Sequence, residues 1–220
     1  MKKLLVLAAG IAALGFVGTA SAADMPTKAP MMMAPVYNWT GFYVGINGGA
    51  GWGRTNQTNA GGVTSGSYNQ SGGIVGGTLG YNWQVNNIVV GIEGDMDWAN
   101  INGTSTAATC AGSCWTNLKW LATVRPRLGL AWGMWMPFVT GGVAFGSVDT
   151  GCCGGGPALS TTATRTGWTV GGGVEVMFAP RWSAKLEYLY ADLGNTTYAA
   201  TAIVVPEKVS VVRGGINYHF

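Results

Sequence analysis

From Trp39 to Phe220 the chain alternates, and the alternation sorts its charges. In Ile92-Glu93-Gly94-Asp95-Met96-Asp97-Trp98 the three carboxylates take every second place, and Ile92, Met96 and Trp98 take the places between. Successive side chains of a strand point to opposite faces, so this segment has one acidic face and one apolar face. The pattern recurs in eight segments, near 40–52, 73–83, 88–99, 118–131, 137–148, 166–178, 182–192 and 208–220. Ten strand charges share the second face: Glu93, Asp95, Asp97, Glu175, Glu187, Lys119, Arg125, Arg127, Lys185 and Arg213. The opposite face is apolar, as in Phe42-Val44-Ile46 or Trp182-Ala184-Leu186-Tyr188.

The spacing of the aromatic residues decides which face is inside. Phe42 and Trp52, Trp120 and Trp132, and Trp168 and Phe178 bracket their apolar rows at ten to twelve positions. Ten steps of about 3.3 Å, tilted by about 45°, cover roughly 23 Å, close to the lipid-facing band of about 25 Å that aromatic girdles flank in membrane barrels. A soluble sandwich would place the apolar row inside; the girdle spacing places it outside, against lipid.

Connections alternate in length: long at 53–72, 100–117, 149–165 and 193–207, short at 84–87, 132–136 and 179–181. The long ones are rich in Gly, Ser, Thr and Asn and carry no helical period. The expected fold is all-β, an eight-stranded antiparallel transmembrane up-and-down β-barrel with both ends of the strand array on the short-turn side. Eight strands enclose only enough room for side chains, so the five acids and five bases are expected to pair and fill the lumen. Pro126 lacks a ladder donor and predicts a bulge or strand end nearby.

Ahead of the barrel, Lys2 and Lys3, the apolar run Leu4–Val17 and Ala20-Ser21-Ala22 have the form of a secretory signal peptide over 1–22. A Pro- and Met-rich lead-in over 23–38 follows, and the barrel domain occupies 39–220. Removing the leader leaves ten basic and nine acidic residues, without the one-signed surface a nucleic-acid binder needs. Four cysteines, Cys110, Cys114, Cys152 and Cys153, admit three pairings, of which the expected one is Cys110–Cys114 with a vicinal Cys152–Cys153 bridge. Their export and the lack of CxxC spacing favour loop staples over a metal site.

Sequence motifs for chemistry are absent. There is no GxGxxG, GxxxxGK[ST] or GxSxG, and His219 is the only histidine, which excludes HExxH. No catalytic, cofactor-binding or metal residue is assigned, and His219 reads as a polar residue of the periplasmic rim.

With Asn38–Gly53 (NWTGFYVGINGGAGWG), VGIEGDMDW and the terminal VRGGINYHF in view, the chain resembles the alphaproteobacterial outer-membrane immunogenic proteins, RopB-like small barrels of OmpA-type membrane architecture. The resemblance spans essentially everything after the leader. It implies an outer-membrane location, insertion by barrel-assembly machinery that reads Phe220, and a role in envelope integrity or as a surface antigen. Outer-membrane lipids, lipopolysaccharide, and host or envelope proteins at the loops are the expected partners. A narrow porin or a heme-uptake protein is the alternative, and the lone His219 supplies no evident heme ligand set.

Overall fold

A computed structural model describes residues 37–56, 66–105, 114–152, 159–198 and 203–220. The expected leader and all of the lead-in but Tyr37 and Asn38 lie outside these residues. Eight strands follow one another: β1 (Gly41–Thr55), β2 (Tyr68–Val85), β3 (Ile88–Ser105), β4 (Cys114–Leu130), β5 (Trp135–Cys152), β6 (Leu159–Ala179), β7 (Trp182–Tyr198) and β8 (Ile203–His219). Each pairs antiparallel with the next, and β1 pairs with β8, so the sheet closes and no edge is left open. Tight turns join β2 to β3, β4 to β5 and β6 to β7. The first and second use left-handed residues, Asn86 (φ 54°) and Gly133 (φ 58°), a conformation that Asn and Gly adopt at low steric cost.

Parity settles the faces as expected. Ile92, Met96 and Trp98 are exposed on the outside, whereas Glu93, Asp95 and Asp97 are buried in the lumen. The outer wall is a belt of large apolar side chains: Ile46 is 71% exposed, Leu79 62% and Leu186 63%. Such a surface is stable only against an apolar solvent. Aromatic rings bound the belt. Phe42–Tyr81, Trp182–Tyr218 and Tyr218–Phe220 meet at 4.8, 5.1 and 5.3 Å at the short-turn end, and Trp168–Tyr190 at 5.5 Å at the other. At that second end the β3–β4 register places Trp98 beside Trp120.

Three expectations are corrected. Lys119 does not enter the lumen: the β4–β5 register shifts between Leu118 and Trp120, and the extra residue reverses the parity of β4 above it. Leu118 thereby turns inward, and Lys119 stands 53% exposed against Asp149 at 2.6 Å. Pro126 causes no bulge. The β4–β5 register is the same on either side of it, Val124 facing Val143 and Arg127 facing Thr140, and Thr140 Oγ1 donates to the Pro126 carbonyl at 2.9 Å. Nor is His219 a rim residue, since it is buried beneath the rings of Trp39 and Tyr43 at 5.8 and 5.4 Å.

The strands also run further into the expected long loops, β6 beginning at Leu159 where 166 was expected. Beyond the lipid band both faces of a strand meet polar surroundings, so backbone pairing continues while the period-two signal disappears.

Candidate functional site

The lumen is the only place where the fold gathers ionisable groups in number among the described residues. It is built in four layers. At the short-turn end Trp39, fully buried, turns into the barrel mouth and packs with Val89, Ala131, Met136 and Met177. Its backbone N donates to Gln84 Oε1 at 2.9 Å, which ties the segment ahead of β1 to the end of β2.

Above this apolar floor lies a continuous ionic network. Glu93 occupies its centre: Lys185 Nζ lies 2.9 and 2.8 Å from its two oxygens, Arg125 Nη2 2.7 Å from Oε1, and the Tyr43 hydroxyl donates to Oε2 at 2.7 Å. Arg125 also reaches Asp95 at 2.7 Å and Glu187 at 2.8 Å. Arg213 joins Glu187, Asp95 and Asp97 at 2.9, 2.9 and 2.5 Å. Arg127 bonds Glu175 at 2.8 Å while its guanidinium lies 4.2 Å from the centre of the Phe138 ring.

Five carboxylates thus face four cations here, because Lys119 is absent. The balance is made up by neutral donors. Thr123 donates to Asp95, and Ser183 and Asn217 donate to Glu175 at 2.5 and 2.7 Å. A buried ion pair repays its desolvation only when the remaining lone pairs and protons are also bonded; these donors go most of the way, while Asp97 Oδ1 and the Nε atoms of Arg125 and Arg127 stay buried without a hydrogen-bond partner.

The third layer was not expected from the sequence. Ile74, Ile101, Leu118, Leu121, Val148, Leu189, Leu193, Val209 and Val211 form an aliphatic cluster across the lumen on the long-loop side of the ions. Above it comes a polar layer in which Gln70 donates to Glu207, and the hydroxyls of Tyr68 and Thr116 share a hydrogen bond of 2.7 Å. Ile74, Leu121, Leu189, Val209 and Val211 lie on the charge-bearing face of their strands, so the signal existed; Ile101, Gln70 and Glu207 fell in segments that read as loops.

Among the described residues, His219, Ser183 and Glu175 form a cluster that resembles hydrolytic machinery. A triad needs the base to meet the nucleophile with one ring nitrogen and the acid with the other. Here Nε2 serves both, 2.9 Å from Ser183 Oγ and 3.6 Å from Glu175 Oε1, and all three side chains are buried. The arrangement holds the imidazole in place. It does not relay a proton from an accessible serine. No group of three or more His, Cys, Asp or Glu suited to a metal ion occurs among the described residues.

A closed antiparallel barrel with an apolar exterior between aromatic girdles and a packed ionic interior is a transmembrane barrel of the outer-membrane kind. The chain belongs to the outer membrane protein beta-barrel domain family, which matches residues 9–220, and it resides in the outer membrane. It is 36% identical to the 31 kDa outer-membrane immunogenic protein of Brucella melitensis over 240 residues, covering 98% of this chain and 99% of that one. Among solved structures it is similar to the outer membrane protein OprG from Pseudomonas aeruginosa (TM-score 0.52, 12% identity, 84% and 99% of the two chains). It is also similar to the outer membrane protease OmpT from Escherichia coli (TM-score 0.55, 7% identity, 84% and 99% of the two chains). At these identities the likeness of the two structures is one of fold.

Proposed function

We propose that this protein is a closed, non-enzymatic structural barrel that supports the integrity of the outer membrane and displays its four long loops as contact and antigenic surfaces. The observation that carries this reading is the layered lumen: an ionic network bounded by Trp39 and its neighbours on one side and by the Ile101–Leu118–Val211 cluster on the other. Water and ions crossing it would have to break buried ion pairs and enter two dry layers, each at high cost. The Brucella relative is named for its immunogenicity, which supports a surface-displayed role for the loops. Phe220, 70% exposed in the girdle with its backbone N bonded to the Phe42 carbonyl, is the terminal aromatic that barrel-insertion machinery would read.

Deleting the gene in the native cell and measuring entry of a hydrophobic dye and survival in bile salt tests the reading. Loss of the protein is expected to raise both sensitivities, with restoration by the intact gene and equally by a variant carrying Ser183→Ala. Failure of Ser183→Ala to restore, in cells whose outer membrane holds the folded variant at the level of the intact protein, would favour chemistry over structure.

The expected Cys110–Cys114 and Cys152–Cys153 bridges each include a residue that lies outside the described ones, Cys110 and Cys153.

A further inference from the structure

Among the described residues, the outer wall carries a basic pair at the long-loop girdle that is only partly compensated. Arg54 of β1 and Lys208 of β8 point outward one step beyond Trp52, as the Gly53–Val209 register of the two strands requires. With Trp52, Asn69, Tyr190 and Ser210 they line a cleft of about 640 Å³. Lys208 lies 3.7 Å from Asp192, and Arg54 has a long bond of 3.4 Å to the neutral Asn69 amide oxygen. Of the two cations, Lys208 alone pairs with a carboxylate among the described residues, and that pair is a loose one. The other outward-facing lysine at this end, Lys119, is closely matched by Asp149 at 2.6 Å.

Aromatic side chains such as Trp52 and Tyr190 settle at the headgroup level of a membrane, so cations just beyond them meet headgroup phosphates. A guanidinium binds phosphate oxygens through two parallel N–H donors, and an ammonium adds a mobile point charge. Like charges on adjacent strands repel unless an anion lies between them. We propose that Arg54 and Lys208, with the Asn69 amide and Ser210 hydroxyl beside them, bind a phosphate of the lipid A headgroup of lipopolysaccharide, with Trp52 and Tyr190 against its sugar and acyl root. This rests on the outer-membrane placement of the barrel and is independent of whether the lumen is closed. A conducting barrel would overturn the closed-lumen reading and leave the lipid site standing.

Native mass spectrometry of the refolded barrel in detergent, titrated with diphosphoryl lipid A, tests it. The wild type is expected to retain one lipid A, and Arg54→Gln/Lys208→Gln to bind at least about tenfold more weakly, as lost charge-assisted contacts imply. Lys119→Gln, and Arg181→Gln in the short turn between β6 and β7 at the opposite end of the barrel, are expected to bind as the wild type does, and Arg54→Lys/Lys208→Arg to recover most of the affinity. Chemically dephosphorylated lipid A should bind the wild type no better than diphosphoryl lipid A binds the double variant. Equal binding by wild type and double variant, or equal binding of the two lipids, overturns the proposal. Displacement of lipid A by inorganic phosphate at equimolar concentration would show a free-anion site and also overturn it. Should the double variant not fold, as read by its heat-dependent gel mobility, the single variants Arg54→Gln and Lys208→Gln carry the same comparison.

Discussion

Arg213 of β8 and Asp95 of β3 meet across the lumen, Nη1 to Oδ1, at 2.9 Å. The two strands are not neighbours in the sheet, so this bond braces the barrel from wall to wall. Arg213 holds Asp97 and Glu187 as well, and its removal leaves three buried carboxylates short of a cation. Arg213→Met is expected to destabilise the barrel by about 3–5 kcal/mol. Urea unfolding from phospholipid vesicles, followed by tryptophan fluorescence, measures it, and a loss below about 1 kcal/mol would mean a hydrated network.

Lys119 and Lys185 make a paired test of the corrected parity. Lys119→Ala removes only a solvent-facing ion pair and is expected to cost at most about 1 kcal/mol. Lys185→Ala removes the ammonium that both oxygens of Glu93 contact, and should cost several times more in the same assay. Equal costs would return Lys119 to the lumen.

The aliphatic layer predicts sensitivity where the sequence shows no charge. Leu118→Ala is expected to cost about 2–5 kcal/mol, because a fully buried side chain leaves a cavity that the closed sheet cannot collapse to fill. Were the space above the ions open to water, the same change would be nearly silent.

On the outside the dependence reverses. Ile46, 71% exposed near the middle of its row, faces lipid, and Ile46→Arg is expected to cost about 2–4 kcal/mol in a bilayer. Placed in detergent micelles, whose surface adapts around a charge, the same variant should lose less.

A tight contact explains one glycine in the wall. The Tyr43 ring, which carries the hydroxyl bonded to Glu93, lies over Gly80 on the neighbouring strand, where any side chain would collide with it. Gly80→Val is expected to displace that ring, break the Tyr43–Glu93 bond and lower the unfolding midpoint in urea. An unchanged midpoint would show the ring free to move aside.

The membrane-embedded half of the fold was legible because lipid on one side and ions on the other impose opposite chemistry on alternate residues. Glu93, Asp95 and Asp97 against Ile92, Met96 and Trp98 show this directly. Parity counting fails wherever one extra residue is inserted. The shift at Leu118–Trp120 leaves no mark in composition, and it misplaced Lys119. Beyond the girdles the rule loses its basis, so the strand ends carrying Gln70 and Glu207 read as loops although they extend β2 and β8. The Arg54–Lys208 cleft needed the β1–β8 closure, which joins strands more than 150 residues apart and has no local trace in either segment.

Single-channel recording of the refolded barrel in a planar bilayer tests the sealed lumen most directly. Wild-type protein inserted without residues 1–22 is expected to give no steady conductance in molar salt at either polarity. Reproducible open steps from the wild type would contradict the account, because ions would then be passing where Trp39, the Glu93 network and the Leu118 layer are stacked.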